Sequence, residues 1–503
     1  MSILLKNGVA LLHDADDHVV PTQTSILIQD GKIAKIGRDI EQHEDVEVID
    51  CTDKIISPGF IDTHHHGWQT QLKGRHANEL LFTYMASGNA QSFQYSPTAT
   101  YYGQLAGMLE AINCGTTTVL DHAHMTYSPA HAHHAISATA SSGIRSIFCY
   151  APIMRMQSFN PLTPHPNPME DWVMQTFSSL AAQGPWGNSR VTLGFAFDLF
   201  FLPPSMLQDI FAKVAEAGTK TITAHYVCLP QLGGKYYQSL PQNLQDLGLL
   251  DSRWVFSHAN GCEKQHIDLI KSAGAHISST PSTELSMAMG RSLCFDASFA
   301  SPDKPCPGAQ DIASLGVDCH SFNSGSVVDE ARLGLHNARS HYNEHFLSTF
   351  TTTRVLPNSL SVEAAFNLAT IKGAKALRLE KEIGRIAVGM KADFAIFDAL
   401  SPSLVAAAQQ DPVAAIILHS SPADVEIVVV DGVVRKRGGK LVAVGVDKEI
   451  VGKERLEWSE IAREVVRSRE EIQAEIEKID FGELESSLMK MFHLDERVFV
   501  KGV

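Results

Sequence analysis

Apolar residues along this chain change their spacing twice. From residue 2 to about 56 they alternate with polar ones in short runs, the period-2 pattern of half-buried strands. Ser25-Ile26-Leu27-Ile28-Gln29 and Lys32-Ile33-Ala34-Lys35-Ile36 flank Asp30-Gly31, and Asp-Gly between two alternating runs signals a tight hairpin. The pattern returns near the other end. Lys391 to Phe397 reads as one strand, and Val425 to Val430, Asp431-Gly432 and Val433-Val434 read as a second hairpin. The two ends are expected to join into one small β-sandwich that the middle of the chain interrupts.

In that middle the period becomes strand then helix, repeated. Predicted strands end at His66, at Asp121 to His124, at Tyr150, near Asp198, at His225, at His258, near Thr280 and at Asp318. Helical spacing covers Tyr101 to Ile112, Ser205 to Ala217 and Glu263 to Ala273, and Gly115, Gly143, Gly218 and Gly274 follow helices as their C-termini prefer. Eight such units predict an α/β fold, a (β/α)8 barrel, with the chemistry at the C-terminal ends of its strands. The expected boundaries are 1–57 for the first part of the sandwich and 58–384 for the barrel. Residues 385–445 return to the sandwich, and 446–503 form a C-terminal helical extension. Within these, Ser361 to Lys375 reads as one amphipathic helix. Residues 452 to 492 read as a charged helical stretch with Ile461, Val465, Ile472 and Ile476 on one side, a solvated or subunit-packing face.

Composition narrows the class. With 503 residues, 44% of them hydrophobic and 19% charged, the chain has ample core for a globular enzyme. A formal charge of −15 argues against nucleic acid and anionic membranes as partners, since both require a basic face. The 8 cysteines are scattered without a CxxC pair, so neither a zinc ribbon nor a disulfide framework is expected. Met1 to Asp14 lacks the features of a signal peptide, and no stretch reads as a membrane span. A reduced, soluble, cytoplasmic protein acting on a small molecule is the expectation.

The candidate chemistry begins at Ser57-Pro58-Gly59-Phe60-Ile61-Asp62-Thr63-His64-His65-His66-Gly67-Trp68. Side chains alternate along a strand, so His64 and His66 share one face and His65 takes the other. Two imidazoles so placed can grip one metal ion if distant strands complete the shell. His225 ends the predicted fifth strand and Asp318 the eighth. Three imidazoles and one carboxylate make a shell for a divalent metal that keeps a position open for water. Asp318 can then touch the metal and take the water's proton, while His258, ending the sixth strand, holds the developing oxyanion or orients the nucleophile.

These residues match a family. Pro58 to His66, His225, His258 and Leu315-Gly316-Val317-Asp318 resemble the amidohydrolase superfamily, closest to its cytosine deaminase-like and chlorohydrolase-like branch. Gly115-Thr116-Thr117-Thr118 and the return through Gly384-Arg385-Ile386-Ala387-Val388-Gly389-Met390-Lys391-Ala392-Asp393-Phe394 carry the same resemblance, over about residues 1 to 445. It implies a metal-dependent barrel hydrolase with a split β-sandwich, and a homo-oligomer. Binuclear relatives bridge two metals with a lysine on the fourth strand. Leu193-Gly194-Phe195-Ala196-Phe197-Asp198 has none, so one divalent ion is expected, zinc first, with iron suited to the same shell.

One position departs from the pattern. Deaminases of this branch carry a glutamate three residues after the fifth-strand histidine, and here that position is Cys228, whose thiol is a poor stand-in for a carboxylic acid. This tilts the expectation toward cleavage of an amide or lactam over deamination of a nucleobase-like ring, both being attack of an activated water on a C–N bond. Glu284, after the seventh strand, is a candidate replacement acid. Glu263 reads as the first turn of a helix. Trp68, Gln69, His122, Tyr150 and Cys228 are candidate substrate contacts, with Gln71, His124 and Arg155 nearby. His320 reads as loop structure, and His131, His133 and His134 as surface positions of a helix. Two further classes stay open: a non-catalytic binding relative, and a metal-dependent lyase or decarboxylase on the same barrel.

Overall fold

The structure is a computed structural model that describes residues 2–41, 44–159, 162–228, 239–295, 308–491, 494 and 496–500. Cys306 lies outside the described residues; the other cysteines are free thiols.

Eight parallel strands form one sheet in sequence order: Phe60–His65 (β1), Thr116–Ala123 (β2), Arg145–Tyr150 (β3), Val191–Ala196 (β4), Ile222–Tyr226 (β5), Trp254–His258 (β6), His276–Ser279 (β7) and Ala313–Leu315 (β8). The last strand returns to the first. Asp318 N–H donates to the His64 carbonyl at 2.8 Å, and His66 N–H donates to the Asp318 carbonyl at 3.2 Å, around a bridge between His65 and Asp318. That closure requires glycine at position 316, where a Cβ would lie 2.7 Å from the His64 carbonyl oxygen. The seam that shuts the barrel therefore also fixes the backbone of three predicted site residues.

The strands of both chain ends share a second sheet, which runs from Lys440–Leu441 through Val433–Arg437, Val425–Val430, Phe394–Asp398, Lys54–Pro58, Ser2–His13 and Val19–Gln29 to Lys32–Gly37. Its inner face packs Ile3, Ile26, Ile28, Ile56, Phe394, Ile396, Ile427 and Val429 into one core. Both expected hairpins form, with Asp30 and Gly31 at φ 51° and 75° and Asp431 and Gly432 at φ 52° and 74°. The two turns stack so closely that a Cβ on Gly432 would lie 2.7 Å from Gly31 Cα. A buried Arg145 on the barrel grips Asp393, the residue just before the strand Phe394–Asp398 of this sheet, at 3.0 and 3.2 Å. Deleting one partner of such a buried pair costs about 3–5 kcal/mol.

Three expectations are corrected. The strand expected from Lys391 begins at Phe394. The helix expected over Ser361 to Lys375 is broken into Val362–Leu368 and Ile371–Ala376, because the Ala369 carbonyl turns aside to accept from Ile61 N–H of β1 at 2.9 Å. The C-terminal stretch forms two helices, Trp458–Ile476 and Phe481–Met491, whose apolar sides cover this chain's own barrel. Ile472 and Ile476 pack with Trp68, Leu72, Tyr95, Ala99 and Met125, just past β1, while Leu484 and Leu488 pack with Ala86 and Phe159. Among the described residues, no helix is long and apolar enough to cross a membrane.

Candidate active site

The ends of β1, β5, β6 and β8 bring four imidazoles and a carboxylate together. His64, His225, His258 and Asp318 each place a ligand atom within 4.8 Å of the others. His64 Nε2 and His66 Nε2 both lie 3.2 Å from Asp318 Oδ1. His66 Nε2 lies 3.2 Å from His225 Nε2. His258 and Asp318 have φ of 72° and 64°, a left-handed backbone that side chains of this size adopt at a cost. In both, the chain leaves its strand by a sharp turn that carries the side chain into the cluster.

The second ring nitrogen of each histidine is engaged elsewhere. His66 Nδ1 donates to the His122 carbonyl at 2.9 Å, and His225 Nδ1 to Asp198 Oδ2 at 2.8 Å. His64 Nδ1 meets Ser257 Oγ at 2.7 Å and His258 Nδ1 meets Thr280 Oγ1 at 2.9 Å. A carbonyl and a carboxylate can only accept, so neutral His66 and His225 carry their protons on Nδ1. In the neutral rings the Nε2 lone pairs then face each other across 3.2 Å, an arrangement that repels unless a metal ion or a further proton lies between them. Metal–nitrogen bonds of about 2.0–2.1 Å place neighbouring ligand atoms about 3–4 Å apart, which these separations match. His64 Nε2, buried 3.2 Å from Asp318 Oδ1 with no hydrogen bond of good geometry, points to the same requirement. The donor set fits a divalent ion.

The electrostatics follow from crowding and burial. Burial alone would raise the Asp318 carboxyl, but His64, His66 and His258 hold it well below the usual carboxylate range. Burial drives the His64 imidazole well below its ordinary value. Burial would also lower His225, and Asp198 overrides it to raise that imidazole. His122 is lowered to about 4, first by burial and then by His225.

Other predicted residues take varied places. His122 joins the cluster, its ring 4.3 Å from that of His225. His124 is buried beside His66 at a ring separation of 4.3 Å. Trp68 is fully buried against Tyr95 and His124. Gln69 is also buried, donating to Tyr84 Oη at 2.9 Å and accepting from Ser321 Oγ at 3.0 Å. Gln71 donates to the Ala99 carbonyl and to Ser468 on the C-terminal helix. Tyr150 turns outward, donating to the Val173 carbonyl at 3.0 Å, because Cys149 takes the inward position on β3. Arg155 pairs with Glu170 and covers Trp172.

Cys228 and Glu284 lie off the centre of the cluster. The Cys228 thiol, pushed up by burial, bonds to the Tyr226 hydroxyl, which points into the outer layer toward His266. Glu284 is fully buried in the helix Pro281–Ser286, accepts from Thr280 N–H at 2.8 Å and stands 3.7 Å from His258 Nδ1. It backs His258 instead of facing open space. Glu263 occupies the N-cap position of the helix Lys264–Ser272, one residue before its first turn, and its side chain makes no capping hydrogen bond. His320 stacks on His65 with ring centres 5.0 Å apart, and His65 donates to Asp62. His131 is buried, linking Ser128 and the Tyr95 carbonyl, which corrects the surface reading; His133 is exposed.

The residue that sequence reasoning passed over is Asp198. It appeared only as the end of a strand without lysine. In space it accepts from His225 twice and stands 3.2 Å from His122 Nε2.

Comparison with known proteins agrees with this geometry. The model of the amidohydrolase family matches residues 55–435. The 5-methylthioadenosine/S-adenosylhomocysteine deaminase of Acetivibrio thermocellus is 26% identical over 480 residues, covering 93% of this chain and 100% of that protein. The 5'-deoxyadenosine deaminase of Methanobrevibacter smithii is 25% identical over 465 residues, covering 90% and 97%. Among solved structures, an adenosine deaminase from Xanthomonas campestris with bound zinc superposes with a TM-score of 0.75 at 17% identity, covering 94% of this chain and 98% of that one. An atrazine chlorohydrolase from Arthrobacter aurescens in complex with zinc gives a TM-score of 0.70 at 18% identity, covering 93% and 100%. With three quarters of its length matched, the chain belongs to the amidohydrolase family and is a hydrolase acting on non-peptide C–N bonds.

Proposed function

We propose that this chain deaminates a small amino-substituted heterocycle by hydrolysis, using one divalent ion, zinc in the first instance. The observation that carries the reading is the pair of Nε2 lone pairs of His66 and His225, facing each other at 3.2 Å with both ring protons committed elsewhere. The deaminase names of the full-length relatives support the choice of reaction.

His64, His66, His225 and Asp318 would hold the ion. When bound, it supplies a water whose pKa is lowered toward ~7, and so a nucleophile at neutral pH. Asp318 accepts the proton of the attacking water, its carboxylate being held ionised, and returns it to the departing amine. His258, its Nδ1 tied to Thr280 and backed by Glu284, presents Nε2 to the developing oxyanion. Trp68, Gln69 and His122, all fully buried, would shape the floor beneath the substrate. We place the enzyme in the cytoplasm as a homo-oligomer with a small-molecule substrate; the chain's net acidity supports the absence of nucleic-acid or membrane partners.

Cys228 favours a second reading, cleavage of an amide or lactam. Its thiol is engaged with Tyr226, so no acid stands at the position where ring-deaminating relatives protonate the ring. Zinc-loaded protein assayed for ammonia against adenosine-type nucleosides, amino-triazines, cytosine and a set of amides and lactams separates the two. Ammonia from an amino-heterocycle supports deamination. Turnover confined to amides or lactams replaces it with the second reading, and no hydrolysis by metal-loaded protein overturns both.

A further inference from the structure

Around the candidate metal ligands the polar contacts form a closed circuit. His66 donates its Nδ1 proton to the backbone carbonyl of His122 at 2.9 Å. The ring of the same His122 points Nε2 at Asp198 Oδ2, 3.2 Å away. That oxygen accepts the Nδ1 proton of His225 at 2.8 Å, and His225 Nε2 faces His66 Nε2 at 3.2 Å. Asp198 holds His225 by two points, because its other oxygen accepts the backbone N–H of the same residue at 2.9 Å. β4 and β5 are already in register there, with Phe197 N–H donating to the Thr223 carbonyl at 3.0 Å. One carboxylate on one strand end thus fixes the backbone and the ring orientation of a histidine on the next.

We infer that Asp198, seconded by His122, is a positioning residue that sets the affinity of the site for its divalent cation by fixing the tautomer and aim of His225. A carboxylate behind an imidazole keeps the proton on the remote nitrogen and makes the near nitrogen a better donor to a metal. The exposure is consistent with this: 31% of the Asp198 side chain and 29% of His225 are accessible, so the pair borders the open mouth of the barrel. His122 closes the opposite side of the carboxylate, and its fully buried ring has no hydrogen-bond partner with good geometry on either nitrogen. It limits how Asp198 can rotate while its carbonyl holds His66. The two outer contacts of the cluster are therefore coupled through one residue. The inference rests on His225 being a metal ligand, as in the reading above.

The test is zinc affinity, measured on apoprotein by competition with a chromophoric chelator, for Asp198→Asn, Asp198→Glu and His225→Ala beside the unaltered chain. Asp198→Asn is expected to bind zinc about 10–100-fold more weakly, with the thermal midpoint of the apoprotein unchanged. Cobalt-loaded Asp198→Asn is expected to show shifted visible bands, because the aim of one ligand has changed. If the Asn variant does not fold, Asp198→Glu decides, since it keeps the charge but displaces the carboxylate by one methylene; unchanged zinc affinity in it overturns the inference. So does an Asp198→Asn protein that binds zinc within twofold of the unaltered chain, or one whose apo stability falls while affinity holds. The parent reading fails differently: His225→Ala binding zinc as well as the unaltered chain removes His225 from the ligand set. Loss of zinc in His225→Ala with none in Asp198→Asn removes only the role of Asp198.

Discussion

His66 Nε2 lies 3.2 Å from Asp318 Oδ1, and the same oxygen lies 3.2 Å from His64 Nε2. Asp318 thus touches both His64 at the end of β1 and His66 just beyond it, and the backbone hydrogen bonds of the barrel seam hold it there. Asparagine in its place keeps an oxygen for the metal but cannot accept the water's proton. Asp318→Asn is expected to retain most of its zinc while kcat falls about 10²–10⁴-fold. Metal content measured beside steady-state kinetics checks this, and a variant that turns over at the unaltered rate refutes the assigned role.

Metal loading should also appear as stability. A ligand that binds only the native state at about 100 times its Kd adds about 2.7 kcal/mol. Zinc added to apoprotein is expected to raise the thermal midpoint, and a chelator to reverse the rise. In His225→Ala the response to zinc should shrink or vanish, because the Nε2 facing His66 is gone. An equal zinc-dependent rise in the variant and the unaltered chain would contradict the assignment.

Much of this site is legible in the sequence because strand periodicity and strand-end position carry the information. His64 and His66 share a face by alternation alone, and His225, His258 and Asp318 terminate runs with a strand's apolar content. The same alternation, applied to β3, would have turned Tyr150 outward, since Cys149 takes the inner place. What the sequence hides is partnership across the chain. Nothing in the spacing of Asp198 reveals that it holds a residue 27 positions away. The broken helix at Thr370 is hidden for the same reason, as it depends on Ile61 N–H reaching Ala369. The apolar side of the C-terminal helix was visible, but its partner, the segment after β1, was not.

That packing yields a prediction. Ile472 and Ile476 cover Trp68 and Leu72, only a few residues beyond His66, and Gln71 bonds to Ser468 on the same helix at 3.1 Å. Replacing a buried isoleucine with alanine costs about 2–5 kcal/mol through lost burial and the cavity left behind. Ile472→Ala is expected to lower the thermal midpoint and to reduce kcat/KM as well, because the floor beside His66 loosens. Truncation after residue 456 should do both more severely. Full activity in a truncated, folded protein would show that the helices merely decorate the barrel.

A buried acid makes stability depend on pH. Glu330 is 1% exposed, accepts from Ser282 N–H at 2.8 Å, and its carboxyl is pushed up to about 8, chiefly by burial, with Glu284 and Asp62 adding to the rise. An unfolded glutamate titrates near ~4.3. Between these values the native chain holds a proton that the unfolded chain has released. The contribution of Glu330 is therefore fully present below about pH 4.3 and diminishes by about 1.4 kcal/mol per pH unit as pH rises toward the native value. Glu330→Gln keeps an acceptor for Ser282 and removes the titration. Urea unfolding of both proteins from pH 5 to pH 8 should show the variant gaining on the unaltered chain as pH rises, other groups cancelling in the difference. Parallel stability curves would mean that Glu330 is already ionised in the native protein.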